Sequence, residues 1–192
     1  MRHARGAPAR RRRAVADLRR LGAGRYDGAM PTANHPPRRT SDEQIALEAT
    51  LADLFQRRIS FNQLLGLEVV CARSPHATIH FKMRPELVGH YLYGRLHGGV
   101  IASALDAMGS LALMVALGDK HTDESTAQVL HRFARMGTVD LRVDYLRPAV
   151  GESFIATAEV TRLGGRIGST QMRLTNDLHA LCATAAATYV IS

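Results

Sequence analysis

The sequence predicts an α+β domain in which an antiparallel sheet of five to six strands wraps around one long buried helix, with a further helix on the N-terminal side. Three observations carry this. Val100 to Leu117 runs for eighteen residues with only Ser103, Asp106, Gly109 and Ser110 interrupting its apolar or alanine character. A helix apolar on every side is buried on every side. The segments around it alternate apolar and polar residues, the period of a half-buried strand. Short turn signals separate them, notably Ser74-Pro75-His76, Gly164-Gly165 and Asn176-Asp177.

The elements follow in chain order. Thr40-Ser41-Asp42-Glu43 offers a capping residue and first-turn acids for a helix. Ile45, Leu47, Leu51, Leu54 and Phe55 carry its apolar period to about Ile59, and Phe61–Gly66 reads as a short turn or half-helix closed by glycine. Leu67–Arg73 and Ala77–Arg84 read as two strands. Pro85–Leu96 reads as a loop rich in Gly, Tyr and His. His97-Gly98-Gly99 then turns into the buried helix, and Gly118–Arg135 reads as a polar, irregular connection. Val139, Leu141, Val143 and Tyr145 alternate with Asp140, Arg142 and Asp144 until Arg147-Pro148 stops the run. Ser153–Leu163, Ile167–Thr175 and Leu178–Ile191 complete the meander.

At 192 residues the chain suits one domain with a substantial core. Its net charge of +8 belongs mostly to one end. Residues 1–29 hold nine arginines against Asp17 and Asp27, a balance of +7, so the remainder sums to only +1. That tail is Arg-rich and acid-poor and buries too little apolar surface to fold. Residues 1–40 are therefore expected to be a disordered basic extension to a domain over 41–192, with Met30 an alternative start. Cys71 and Cys182 lie far apart in apolar, strand-like segments, which fits reduced thiols in a cytoplasmic setting and excludes a cysteine-based zinc site. No metal site and no cofactor are expected. A membrane span is disfavoured because Asp106 would sit near mid-bilayer.

Asp106 is the residue on which the chemistry turns. A carboxylate on a buried helix is costly unless hydrogen-bonded or protonated, which makes a lone buried acid a candidate functional group. Ser103, Asp106 and Ser110, at i, i+3 and i+7, share one face. The backbone N–H groups at the start of such a helix supply the other half of a reaction site, since they meet developing negative charge with hydrogen bonds and the helix dipole. Glycine at 98 lets an acyl group approach the backbone closely. His97 either orients the turn or touches substrate.

The turn His97-Gly98-Gly99, Asp106 nine positions after His97, the strand Thr138-Val139-Asp140-Leu141 running to Tyr145-Leu146-Arg147-Pro148, and the turn Gly164-Gly165-Arg166 together resemble the hotdog-fold acyl-CoA thioesterases of the phenylacetate-degradation type. The resemblance spans roughly residues 61–192 and is closest to the branch acting on medium- and long-chain acyl-CoA. It implies a hydrolase of fatty-acid metabolism that cleaves acyl-CoA to free acid and CoA. Gly98 N–H would be the oxyanion donor, Asp106 the general base or the nucleophile, and Thr138 the hydroxyl that holds the water or the acid. Relatives commonly carry Asn six or seven residues before the histidine. Here those positions are Tyr91 and His90, with His90 a substitute polar positioner.

Nine helical residues rise about 13 Å, so Gly98 and Asp106 of one chain do not readily share one carbonyl. Two antiparallel copies of the helix would bring them together, and a homo-oligomer, dimer or dimer of dimers, is expected. His90, His97 and Gly99 are further candidates for substrate contact. Arg166 and Arg147, beside strand turns, are candidates for the CoA phosphates, which suit the guanidinium fork. Two other readings stay open. One is a hotdog hydratase or dehydratase that uses His97 and Asp106. The other is a non-catalytic acyl-CoA-binding regulator with its basic tail on nucleic acid. No nucleic-acid partner is expected of the domain itself, because only one helix precedes the strands and no groove-reading helix pair is evident.

Overall fold

The computed structural model describes residues 38–192. The Arg-rich segment, Met30 and the basic extension up to residue 37 lie outside the described residues.

Helix α1 (Ser41–Asp53) begins where the caps place it: Thr40 Oγ1 accepts the Glu43 N–H at 3.3 Å while the Glu43 carboxylate accepts the Thr40 N–H at 2.7 Å. Leu47, Leu51 and Phe55 are buried, whereas Ile45, expected on the same stripe, is 55% exposed. The single helix expected to Ile59 changes pitch instead. Leu54–Arg58 is a π-helical turn, and buried Asn62 donates its Nδ2 to the Phe55 carbonyl at 2.9 Å. Helix α2 (Ser60–Leu65) follows and is closed by Gly66 at φ +70°, the left-handed cap anticipated from the sequence.

Strands β1 (Glu68–Cys71) and β2 (Thr78–Lys82) form the first hairpin. The stretch expected as a plain loop contains structure of its own: a 3₁₀ turn at Pro85–Leu87 and a small hairpin of β3 (Val88–His90) and β4 (Arg95–Leu96). Central helix α3 spans Gly98–Lys120. The connection after it is not irregular. Helix α4 (Thr126–Phe133) is set by a second capping box, with Ser125 Oγ and the Gln128 side chain bonded to each other's backbone N–H, and it buries Val129. The Ser-x-x-Gln signal and the burial of one valine outweigh the polar composition that suggested an irregular connection.

Strands β5 (Gly137–Tyr145), β6 (Ser153–Leu163), β7 (Ile167–Asn176) and β8 (Leu181–Val190) complete one six-stranded antiparallel sheet in the order β1-β2-β6-β7-β8-β5. β1 and β5 are its edges. α3 crosses the inner face against Phe81, Phe154, Ala156, Met172, Leu174, Ala183, Ala185 and Ala187, all buried. Alternate alanines on β8 leave room for the helix to come close, and a Cβ at Gly168 would stand 2.6 Å from Leu113 Cδ2. α3 is long and apolar enough to cross a membrane, yet most of it is buried against this sheet as a core helix. Cys71 and Cys182 sit in β1 and β8 as free thiols.

Candidate active site

α3 carries two separate pieces of chemistry. At its start His97 is the N-cap, and its Nδ1 accepts the Gly99 N–H at 2.9 Å. The His97 carbonyl takes the N–H groups of Val100 and Ile101. His97 is thus a capping side chain, and it occupies the Gly99 donor. The Gly98 N–H has no protein acceptor among the described residues and stands at a helix N-terminus, where backbone donors and the dipole favour negative charge. Tyr145 fixes this turn from below, donating its hydroxyl to the Gly98 carbonyl at 3.0 Å. A Cβ at Gly98 would meet nothing closer than Tyr145 at 3.5 Å, whereas one at Gly89 would stand 2.7 Å from His97 Cα. Packing within the chain demands glycine at 89 but not at 98.

Two turns further on, the Thr138 hydroxyl donates to Asp106 Oδ1 at 2.9 Å, and the Tyr189 hydroxyl donates to the Asp106 carbonyl at 3.1 Å. Thr138 reaches the helix because β5 is irregular. Thr138 pairs with Tyr189 and Asp140 with Thr188, so Val139 is an extra residue on one strand. That bulge breaks the alternation expected of Val139, Leu141 and Val143 at Val139 alone; Leu141 and Val143 keep packing against the core. It turns Val139 out to 61% exposure and brings the Thr138 hydroxyl onto Asp106, while Thr138 itself stays exposed. Tyr189 is fully buried. Burial first, and then neighbouring Asp106, push its hydroxyl far above the ordinary tyrosine range, so it remains a proton donor. Gly109 makes room for it: a Cβ there would lie 2.3 Å from Tyr189 Oη, 2.7 Å from Met172 Sδ and 2.8 Å from Thr170 Oγ1.

Asp106 is not enclosed as the apolar run suggested. With Ser103, Ala107 and Ser110 it forms a half-buried stripe, because the sheet covers only the other side of α3. The stripe opens into a cavity of about 250 Å³ whose remaining walls are Phe55, Ile59, Phe61, Asn62 and Phe133, from the π turn, α2 and α4.

The remaining candidates fall at different distances. Arg147 lies two residues past Tyr145 and is therefore at the Gly98 end of the molecule, exposed. Arg166 is exposed at the β6–β7 turn beside Gly164, whose carbonyl faces Lys120 Nζ at 3.4 Å. That is the opposite end of a helix roughly 33 Å long. His90 is exposed, stacks on Tyr91 with ring centroids 5.9 Å apart, and meets the Tyr93 ring at a 40° tilt with centroids 4.8 Å apart.

A model of the thioesterase superfamily matches residues 93–183. The medium/long-chain acyl-CoA thioesterase YigI of Escherichia coli (strain K12) is 38% identical over 141 residues, covering 73% of this chain and 91% of that protein. This chain belongs to the thioesterase superfamily. Other members align less tightly: human acyl-coenzyme A thioesterase 13 is 28% identical over 118 residues, 61% of this chain and 74% of that protein. A crystal structure of a Shewanella oneidensis protein related to the superfamily superposes with a TM-score of 0.74 at 33% identity, covering 78% of this chain and 97% of that one. The hotdog architecture expected from the sequence is the one observed.

Sequence reasoning missed Tyr145, Tyr189, Asn62 and the phenylalanine walls. Tyr145 and Tyr189 occupy apolar positions of strand patterns, and nothing in a period of two says that a hydroxyl will reach a helix carbonyl. Gly109, an isolated glycine inside a helical run, was the one available signal of close approach.

Proposed function

We propose that this superfamily member hydrolyses acyl-CoA thioesters to free acid and CoA, in a homo-oligomer whose sites each combine two chains. The observation that carries the chemistry is Asp106, held at Oδ1 by Thr138 and facing a half-enclosed cavity. The name of the 38% identical relative supports acyl-CoA as substrate. In this reading Asp106 takes a proton from water as the water oxygen bonds to the thioester carbonyl carbon. The carbonyl oxygen becomes an oxyanion that accepts the Gly98 N–H at the helix N-terminus. Collapse of the tetrahedral intermediate breaks the C–S bond and expels CoA thiolate, which takes up the proton held by Asp106 and restores the carboxylate. Thr138 keeps the carboxylate from rotating, and His97 holds the turn that presents Gly98.

Two observations support sharing of the site. Gly98 and Asp106 are eight residues apart on one straight helix, about 12 Å along the axis. β5 is an unpaired sheet edge with Val139 exposed, beside the half-buried stripe of α3, and open edges of this kind pair with another chain. Two antiparallel copies would bring one chain's Gly98 to the other's Asp106. Free thiols at Cys71 and Cys182 support a reducing, cytoplasmic setting.

Thiol release from acyl-CoA by the purified protein tests the reaction. Asp106→Asn keeps the side-chain volume and should lower turnover by about 10²–10⁴-fold, the usual worth of a general base. Retention of more than about a tenth of the activity, or double-bond chemistry on an intact thioester in place of thiol release, would refute the assignment.

A further inference from the structure

The cavity over Asp106 has walls of two kinds, and their division identifies its occupant. One side is the polar stripe of α3, Ser103, Asp106 and Ser110, with Ala107 between them. The other is almost wholly hydrocarbon: Phe55, Ile59, Phe61 and Phe133. Among the described residues no lysine or arginine lines it, and its single charge is an acid, so the phosphates of CoA have no partner among them there. About 250 Å³ is also too small for a nucleotide, since drug-sized ligands fill pockets of about 300–1,000 Å³. At about 30 Å³ per water-sized group, it holds about eight methylene-sized groups.

The aromatic walls differ in what they can do. Phe61 is 53% exposed and stands at the rim. Phe55 is buried and meets Phe133 edge to face, with centroids 5.3 Å apart at 60°. That pair joins the π turn to α4 and closes the space between them. The turn keeps its wide pitch because Asn62, itself buried and lining the cavity, takes the Phe55 carbonyl. Pitch changes of this sort are frequent at functional sites.

We propose that the Phe55–Phe133 pair sets the length limit of the acyl chain carried in this cavity. The assignment rests on the proposed hydrolysis, with the reacting carbonyl at Asp106. Each methylene buried here adds about fourfold to kcat/KM, from the ~0.8 kcal/mol of burying one such group, until the wall is met.

The test is kcat/KM by thiol release for butyryl-, octanoyl-, dodecanoyl- and hexadecanoyl-CoA. The wild-type protein should climb steeply to octanoyl-CoA and then level or fall. Phe133→Ala removes the wall and should raise the dodecanoyl-to-octanoyl ratio at least tenfold. Ala107→Leu adds bulk to the half-buried stripe that lines the cavity and should lower the octanoyl-to-butyryl ratio at least tenfold. Parallel losses on all four substrates in both variants, or a flat wild-type series, would overturn the acyl assignment while leaving hydrolysis intact. Failure of the wild-type protein to release thiol from any of them would overturn the proposed function itself, and this assignment with it.

Discussion

Gly109→Ala sets two well-known effects against each other, and the structure decides between them. In an open helix the change should stabilise by about 1 kcal/mol, because alanine is the better helix former. Here the new methyl would stand 2.3 Å from Tyr189 Oη, 2.7 Å from Met172 Sδ and 2.8 Å from Thr170 Oγ1. These are groups of buried strands, with Tyr189 at 0% exposure and Met172 and Thr170 at 1%. Overpacking a filled core costs about 1–3 kcal/mol. Driving the Tyr189 hydroxyl off the Asp106 carbonyl strands a buried donor, for about 1–3 kcal/mol more. The net is a loss of about 3 kcal/mol, or a fall in Tm of about 6–12 °C for a domain of this size. Thermal unfolding followed by circular dichroism measures it. The double variant Gly109→Ala with Tyr189→Phe removes the closest clashing atom and should recover part of that loss, a coupling of about 1–2 kcal/mol. Thiol release should fall further in Gly109→Ala than in Tyr189→Phe, since only the former displaces the turn that carries Asp106. A Gly109→Ala protein as stable as wild type, with purely additive behaviour in the double variant, would refute the close packing of β8 on α3.

Three further outcomes are expected. Asp106→Asn and Gly98→Pro, each inactive alone, should regain partial activity when mixed and allowed to exchange subunits, because one site of each heterodimer keeps both the base and the N–H donor; no recovery despite verified exchange would refute the shared site. Arg147→Ala and Arg166→Ala should each raise KM for acyl-CoA several-fold with little change in kcat, and leave the matching acyl-pantetheine unaffected. Equal losses on both substrates would remove that arginine from the phosphate-binding set. Finally, Arg132 donates its Nε to Glu124 at 2.9 Å and holds that carboxyl below its ordinary 4.5. The pair's contribution is therefore present above about pH 4.5 and lost as pH falls through the lowered value. Glu124→Gln should lower stability at pH 7 by about 0.5–1 kcal/mol, and the gap to wild type should close in acid; a gap unchanged down to pH 2 would refute the pairing.

Periodicity and caps alone determined much of this protein. The eighteen-residue apolar run could only be a core helix or a span. The glycine pairs and Asn-Asp turns cut the strands where the sheet folds back, and Thr40 and Gly66 marked helix ends that the structure keeps. Asp106 and Gly98 stood out because an acid in an apolar helix and a bare backbone at its start are each costly or purposeful. These signals are local, governed by residues within a turn or two of one another. What the tertiary structure decided is long-range. One extra residue in β5 turns Thr138 toward Asp106 and Val139 away, against the alternation, because the bulge is set by pairing with β8, nearly fifty residues on. Asn62 opens the π turn by capturing a carbonyl seven residues earlier, and Phe133 meets Phe55 across 78 positions. Hydroxyls of Tyr145 and Tyr189 reach helix carbonyls only once the sheet has curved around α3. Distance along the chain carries no trace of these meetings; they exist because packing the apolar faces brings these groups together, and for Tyr189 and Asn62 burial makes leaving the polar group unpaired too costly.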